Sequence, residues 1–277
     1  MRDSVGEHSA AVNGVWQDLQ GVKAHGDEIR SGVQVIARAA RILRSLEGES
    51  QGLSLSEIAD RVGLARSTVH RIVTALETER FVVYAANRVR VRLGPGLASL
   101  AASARRELRV ELHPYLQKLS SQVQETVDLA VLDGDRVYFI DQISAPHRLS
   151  AVSSVGASFP VHCTANGKAL LATLPDDQVL QILPRRLERL TPNTITRRDE
   201  LLAQLAEVRQ AGIAYDREEH TTGIAAIGSV VGDGLGTLAA VTIPMPAQRF
   251  YGNEERLAGI LRSACEEMTR MIGTQQR

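Results

Sequence analysis

The chain has 277 residues, 44% hydrophobic and 23% charged, with a formal net charge of zero, enough for two modest domains with buried cores. Its apolar runs are short, such as Leu129 to Leu132, which excludes a membrane helix of ~18–20 residues. Cys163 and Cys265 lie far apart and make neither a disulfide framework nor a paired zinc motif; with no basic-then-apolar leader, they point to a reducing cytoplasm.

Residues 1–31 are rich in Gly, Ser, Asp and His without periodicity, and they read as a mobile tail. From Val33 a helical pattern begins, with Val35, Ile36, Ala39, Ile42, Leu43 and Leu46 at three- and four-residue steps. A second helix opens at Ser54, an N-cap with Glu57 three residues on to complete a capping box. Gly63 ends it after about two turns, and a third helix spans Ala65 to Arg80. Phe81 to Tyr84 and Arg88 to Leu93 then form a hairpin across Ala85-Ala86-Asn87. Arg88, Arg90 and Arg92 alternate with apolar residues, which predicts one cationic face.

The helix pair over Ser54 to Arg80 carries the functional signal. A DNA-reading helix-turn-helix needs a small residue where its helices cross, a glycine in the turn, and apolar residues pinning the second helix to the first. Ala59 falls at the crossing, Gly63 in the turn, and Ile58, Val62, Leu64, Val69 and Ile72 on inward positions. The outward face of the third helix presents Arg66, Ser67, Thr68, His70, Arg71 and Thr74, donors suited to base edges and phosphates. The hairpin reads as a wing, with Arg88 and Arg90 for phosphate or minor-groove contact. Neutral net charge argues against nucleic acid only in sum. Residues 32–93 hold ten arginines, six acidic residues and no lysine, so the basic charge is concentrated here.

Gly94-Pro95-Gly96 punctuates the unit, and a long helical stretch runs from Leu97 to Val123 with a second segment expected to start at Pro114. Beyond it strands and helices alternate. Thr126 to Leu132 and Arg136 to Ile143 flank the turn Asp133-Gly134-Asp135. Helices are expected at Ala165 to Leu174, Pro175 to Leu183, Asp199 to Ala211 (with Gly212 at its end) and Glu254 to Met271. Ile224 to Val231 and Thr237 to Ile243 pair across Gly232 to Gly236. The pattern is α+β on an antiparallel sheet.

The stretch Leu53-Ser54-Leu55-Ser56-Glu57-Ile58-Ala59 through Gly63 to Arg71 resembles the winged helix of IclR-type bacterial regulators. The similarity continues through Thr126 to Ala130, Gly167 to Ala172, Leu190 to Thr196 and Gly223 to Gly228, and covers about residues 33–270. It implies an N-terminal winged helix-turn-helix at 32–94, a linker helix at 95–123 and a GAF-like α/β effector-binding domain at 124–277. It also implies homodimers or dimers of dimers on double-stranded operator DNA, controlled by small, often carboxylate-bearing metabolites. The expected protein is thus a cytoplasmic ligand-responsive regulator, a repressor, of a metabolic, catabolic operon. Its effector is a small organic or aromatic acid, and it has no cofactor, no metal, no catalytic residue and no membrane partner. The alternatives are a winged-helix protein-interaction module and an enzyme with an accessory DNA-binding domain.

The resemblance places His162, Ala165, Asn166, Asp216 and Thr242 at the effector cavity. The amides opening the Ala165 helix suit an anion, Thr242 can donate and Asp216 can accept. Plain capping by Thr164 or Asn166, and a turn cap by Asp216, suit the same positions. Two departures from the family's pattern, Ala226 for a cysteine and Pro244 for a serine, predict a more apolar pocket and a bulkier or aromatic ligand. His162, Cys163 and His220 are also candidate metal ligands, though neighbouring residues on a strand point to opposite faces. Gly232 to Gly236 lacks the following helix of a phosphate loop, Glu218-Glu219-His220 lacks a second histidine, and no Gly-x-Ser-x-Gly occurs.

Overall fold

The computed structural model describes residues 34–85, 89–145, 147, 153–233 and 236–275. The expected tail 1–31 and Arg88 lie outside them. The chain divides into two compact units, with the boundary between Ala102 and Ser103, inside the long helix Pro95–Val123.

The first unit contains α1 (34–45), β1 (Leu53–Ser54), α2 (Leu55–Val62), α3 (Arg66–Thr78), β2 (Val82–Tyr84) and β3 (Arg90–Leu93). Ser54 caps α2 in a closed box: its hydroxyl accepts from the Glu57 N–H at 3.3 Å, and the Glu57 carboxylate accepts from the Ser54 N–H at 2.7 Å. Gly63 ends the helix in the left-handed region, φ 64°, where a side chain would be strained. Ala59, Ile58, Val62, Val69 and Ile72 are all buried in one core with Ile42, Leu46, Val73, Leu76, Val82 and Val91. The three strands form an antiparallel sheet in the order β1-β3-β2, and the two-residue β1, too short to show a period, escapes a sequence reading.

Helix α4 (Pro95–Val123) starts two residues before the expected Leu97, because proline at a helix's first turn loses no hydrogen bond. It also runs through Pro114, where a new segment was expected. The proline frees the carbonyl of Val110, and Val110 is 69% exposed, so water can replace the missing donor.

The second unit is a six-stranded antiparallel sheet in the order β6-β5-β4-β9-β8-β7, covered by helices on both faces. Its strands are β4 (Val127–Asp133), β5 (Arg136–Ile143), β6 (Ser158–Pro160), β7 (Ala214–Arg217), β8 (Ile224–Asp233) and β9 (Gly236–Pro246). Alternation divides their side chains. Leu129, Val131, Ile227, Val241 and Ile243 pack with Leu112, Leu116 and Leu119 of α4 and with α9 (Glu254–Gln275), which follows the short α8 (Ala247–Phe250). Ala130, Val137, Phe139 and Ala240 face the other way, onto α5 (Ala165–Leu171), α6 (Asp176–Ile182) and α7 (Arg198–Ala211). A single-turn 3-10 helix, Val161–Cys163, leads into α5.

Candidate DNA interface and effector cavity

On α3, Arg66, Ser67, His70, Arg71 and Thr74 are exposed and Thr68 is half-buried. Their opposite face is pinned by Val69, Ile72, Val73 and Leu76, which fixes the outward aim of the donors. Arg66, His70 and Thr74 follow each other at four-residue steps and line a groove of about 500 Å³ with Ser54, Leu55, Ser56, Glu77, Tyr84 and Val89. Ser56, Glu77 and Tyr84 were not among the expected residues; the packing of α2 and β2 beside α3 brings Ser56 and Tyr84 there, and Glu77 follows Thr74 by three residues on α3 itself. The Thr74 hydroxyl donates to the His70 carbonyl at 2.9 Å, and Ala65 gives α3 no side-chain cap. The Thr68 N–H turns back to the Ala65 carbonyl at 2.9 Å, so the Arg66 and Ser67 amides are the first-turn donors left for an acceptor from outside among the described residues.

Arg90 departs from the expected free wing cation. Its Nε donates to the Gly52 carbonyl at 2.9 Å and its terminal nitrogen to Glu57 at 3.2 Å. The guanidinium thus ties β3 to the turn before α2, on the residue that completes the capping box. Ser54, through its N–H and hydroxyl, and then Arg90 hold the Glu57 carboxyl below its ordinary range. Arg92 is exposed.

In the second unit the α5 side of the sheet encloses a cavity of about 280 Å³, near the low end of the roughly 300–1,000 Å³ of ligand pockets. Strand register builds it. Asp128 pairs with Thr242, and Thr242 with Gly228, on one rung; Pro244 pairs with Ala226, and Ala226 with Asp216, on the next. Residues two apart share a face, so Asp128, Thr242, Pro244, Ala226 and Asp216 all line the cavity. Gly228 lets α5 close over this surface: a Cβ there would stand 2.9 Å from the Ala165 carbonyl group, inside van der Waals contact.

Of the five expected effector residues, Ala165, Asn166, Asp216 and Thr242 lie together in this lining. His162 does not; its Nε2 sits 2.9 Å from the Glu188 carbonyl, because the 3-10 turn carries it to the other side of the α5 start. Capping is real at Thr164, whose hydroxyl accepts from the Gly167 N–H at 3.3 Å, and the Asn166 side-chain Oδ1 accepts from the same N–H at 2.9 Å. Asp128, Phe139, Ser153, Phe159, Thr221 and Ile224 were not anticipated. Asp128 had a signal: it is an acid in an apolar strand, between Val127 and Leu129 in sequence. The others come together only through register.

The lining has an aromatic wall and two buried carboxyls. Phe159 stacks on His220 with centroids 4.2 Å apart, and Phe139 meets Phe159 edge-on at 5.0 Å. Asp128 accepts from the Ser153 hydroxyl at 2.5 Å and from the Gln142 amide at 2.8 Å, yet burial raises its pKa to about 6. Asp216 Oδ1 accepts from the backbone N–H groups of Glu219 at 2.7 Å and His220 at 3.4 Å. Burial drives its pKa to about 7 against the pull of Lys168. Burial holds His220 below its ordinary pKa, and lifts the Cys163 thiol to about 12. Cys163 Sγ is 3.8 Å from the Pro160 carbonyl, and among the described residues no group of three His, Cys, Asp or Glu is placed to hold a metal. No helix of the described residues is long and apolar enough to cross a membrane.

Comparison with known proteins agrees with both units. The IclR helix-turn-helix domain matches residues 35–86, and the bacterial transcriptional regulator IclR C-terminal domain matches residues 100–270. The HTH-type transcriptional regulator Rv1719 of Mycobacterium tuberculosis is 52% identical over 241 residues, 87% of this chain and 93% of that protein. TtgV, an HTH-type transcriptional regulator of Pseudomonas putida, is 40% identical over 87% of this chain and 93% of its own length. An IclR homologue from Microbacterium hydrocarbonoxydans, solved in complex with 4-hydroxybenzoate, is 27% identical with a TM-score of 0.55, covering 85% of this chain and 98% of that one. Both domains and these relatives are those of transcriptional regulators and not of enzymes. The chain belongs to the IclR family, as a ligand-responsive, DNA-binding bacterial transcriptional regulator.

Proposed function

We propose that this regulator controls a metabolic operon, catabolic in character, in response to a small aromatic compound held in the cavity under α5. The observation that carries the reading is the lining itself. Phe139, Phe159 and the His220 ring form one wall, and Ala226, Pro244 and Ile224 add apolar surface, a surround that favours a flat ring by burial and by edge or stacked contacts. The Microbacterium relative's 4-hydroxybenzoate complex supports it. On the DNA side, Arg66, Ser67, Thr68, His70, Arg71 and Thr74 contact the operator, with Arg88 of the wing as a further phosphate contact. Paired copies of the chain, as a dimer or a dimer of dimers, read the two halves of a palindromic site, and the cytoplasm is where that DNA lies.

Isothermal titration with a panel of aromatic and aliphatic compounds, joined to footprinting of the DNA upstream of its own gene, tests this reading. Aromatic members bind and change the footprint. Tight binding of small keto acids with no binding of aromatic compounds overturns it.

A further inference from the structure

The polar chemistry of the cavity is one-sided. Among the described residues its lining carries two carboxyl groups, Asp128 and Asp216, and no lysine or arginine. The nearest buried cation, Lys168, is committed elsewhere: its Nζ is 2.5 Å from Glu219 Oε1, with both side chains buried. Asp128 has a hydrogen bond on each oxygen. Asp216 has both of its described bonds on Oδ1, which leaves Oδ2 free to accept among the described residues. Nearby, the Asn166 side-chain Oδ1 is used by the Gly167 N–H, so its amide nitrogen remains a donor, and the Thr242 hydroxyl serves as donor or acceptor. The first-turn amides of α5 are the one feature here that favours an anion, and the Gly167 amide is already taken.

We infer that the polar group the aromatic effector presents to Asp216 is a neutral hydroxyl, so that the preferred ligand is a phenol and not an aromatic carboxylate. This rests on the reading of the cavity as the effector site. A phenol hydroxyl donates to Asp216 Oδ2 and accepts from Asn166 or Thr242. A carboxylate in its place sets a third acidic group beside two buried ones, with no unpaired cation in the lining among the described residues to offset it.

The test is isothermal titration of the full chain at pH 7.5 with p-cresol, 4-methylbenzoate and 4-methylanisole, which share ring and methyl group and differ in one substituent. p-Cresol is expected to bind at least about tenfold more tightly than either of the others, the scale of one hydrogen bond to a charged group. Asp216→Asn, checked for a cooperative unfolding transition, is expected to narrow the gap between cresol and benzoate. If that variant does not fold, the ranking on the unaltered chain decides alone. Benzoate binding as tightly as cresol, or anisole matching cresol, overturns the inference and leaves the aromatic effector standing. Binding of none of the three removes the aromatic reading and the inference with it.

Discussion

Lys168 of α5 and Glu219, three residues beyond Asp216, form an ion pair 2.5 Å long whose side chains are 0% and 5% exposed. Glu219 Oε1 also accepts from the Arg217 N–H, while its Oε2 is buried without a partner among the described residues. The Glu219 carbonyl receives the hydroxyls of Thr191 and Thr194. The pair therefore locks the α5 helix, the Asp216 strand end and the Thr191–Thr194 turn in one place.

Removing one partner strands the other charge in a dry site, at a cost of ~3–5 kcal/mol. Lys168→Met is expected to lower the thermal midpoint sharply. The double variant Lys168→Met/Glu219→Gln is expected to lose less than the sum of the two single changes. Additive losses across this cycle would mean that the pair is not coupled.

Acid stability follows from the two raised carboxyls. Asp128 and Asp216 have folded pKa values near 6 and 7, above the ~4 of an unfolded aspartate. The folded state therefore binds more protons between about pH 4 and pH 7. Their contribution favours folding at the acid end of that window and is lost as pH rises through the folded values. Around Asp216 the charged and titratable neighbours are Lys168, Glu219, His220 and Cys163. Asp216→Asn removes this titration, so its midpoint is expected to gain on the parent chain as pH rises from 5 to 8. A difference that is flat with pH would refute the assignment.

The reading head was legible because its determinants are local. Ser54 to Glu57 spans one capping box, and Gly63 and Ala59 sit at fixed offsets from it, so a short window of sequence holds the whole constraint. The cavity was legible only in part, since Asp128, Phe139, Phe159 and Ser153 approach Asp216 through a six-stranded register that no short window contains. Strands β6 and β7 have three and four residues, too few to show alternation. The intramolecular ties of Arg90 escape the sequence for a related reason: its Arg-apolar alternation is visible there, but its partners Gly52 and Glu57 lie more than thirty positions away.

Arg71 and Arg90 separate two roles that sequence alone gives to both. Arg71 is exposed on α3, so Arg71→Ala is expected to weaken operator binding by ~1–3 kcal/mol with no change in the thermal midpoint. Arg90→Ala is expected to lower the midpoint of the head, because it frees the Gly52 carbonyl and Glu57. Gel-shift titration and calorimetry of both variants check this. Unchanged operator binding by Arg71→Ala, or an unchanged midpoint for Arg90→Ala, would contradict the respective role.

Gly228 tests whether the α5 contact builds the cavity. In Gly228→Ala the new Cβ would press on the Ala165 backbone and on Thr242 Cγ2, at 2.9 and 2.8 Å, which displaces α5 at a typical overpacking cost of ~1–3 kcal/mol. Ligand affinity is expected to fall at least tenfold while operator binding in the absence of ligand persists. Full ligand affinity in that variant would show that the α5–sheet spacing does not define the site.

Occupying this cavity is expected to change how the chain holds DNA. Fluorescence anisotropy of labelled DNA from upstream of its own gene, titrated with the full chain at fixed salt, with and without saturating p-cresol, measures that coupling. Operator Kd is expected to shift at least fivefold, the lower end of ordinary coupling between sites, and to lose that shift in Gly228→Ala. Calorimetrically verified p-cresol binding with superimposable anisotropy curves would contradict it.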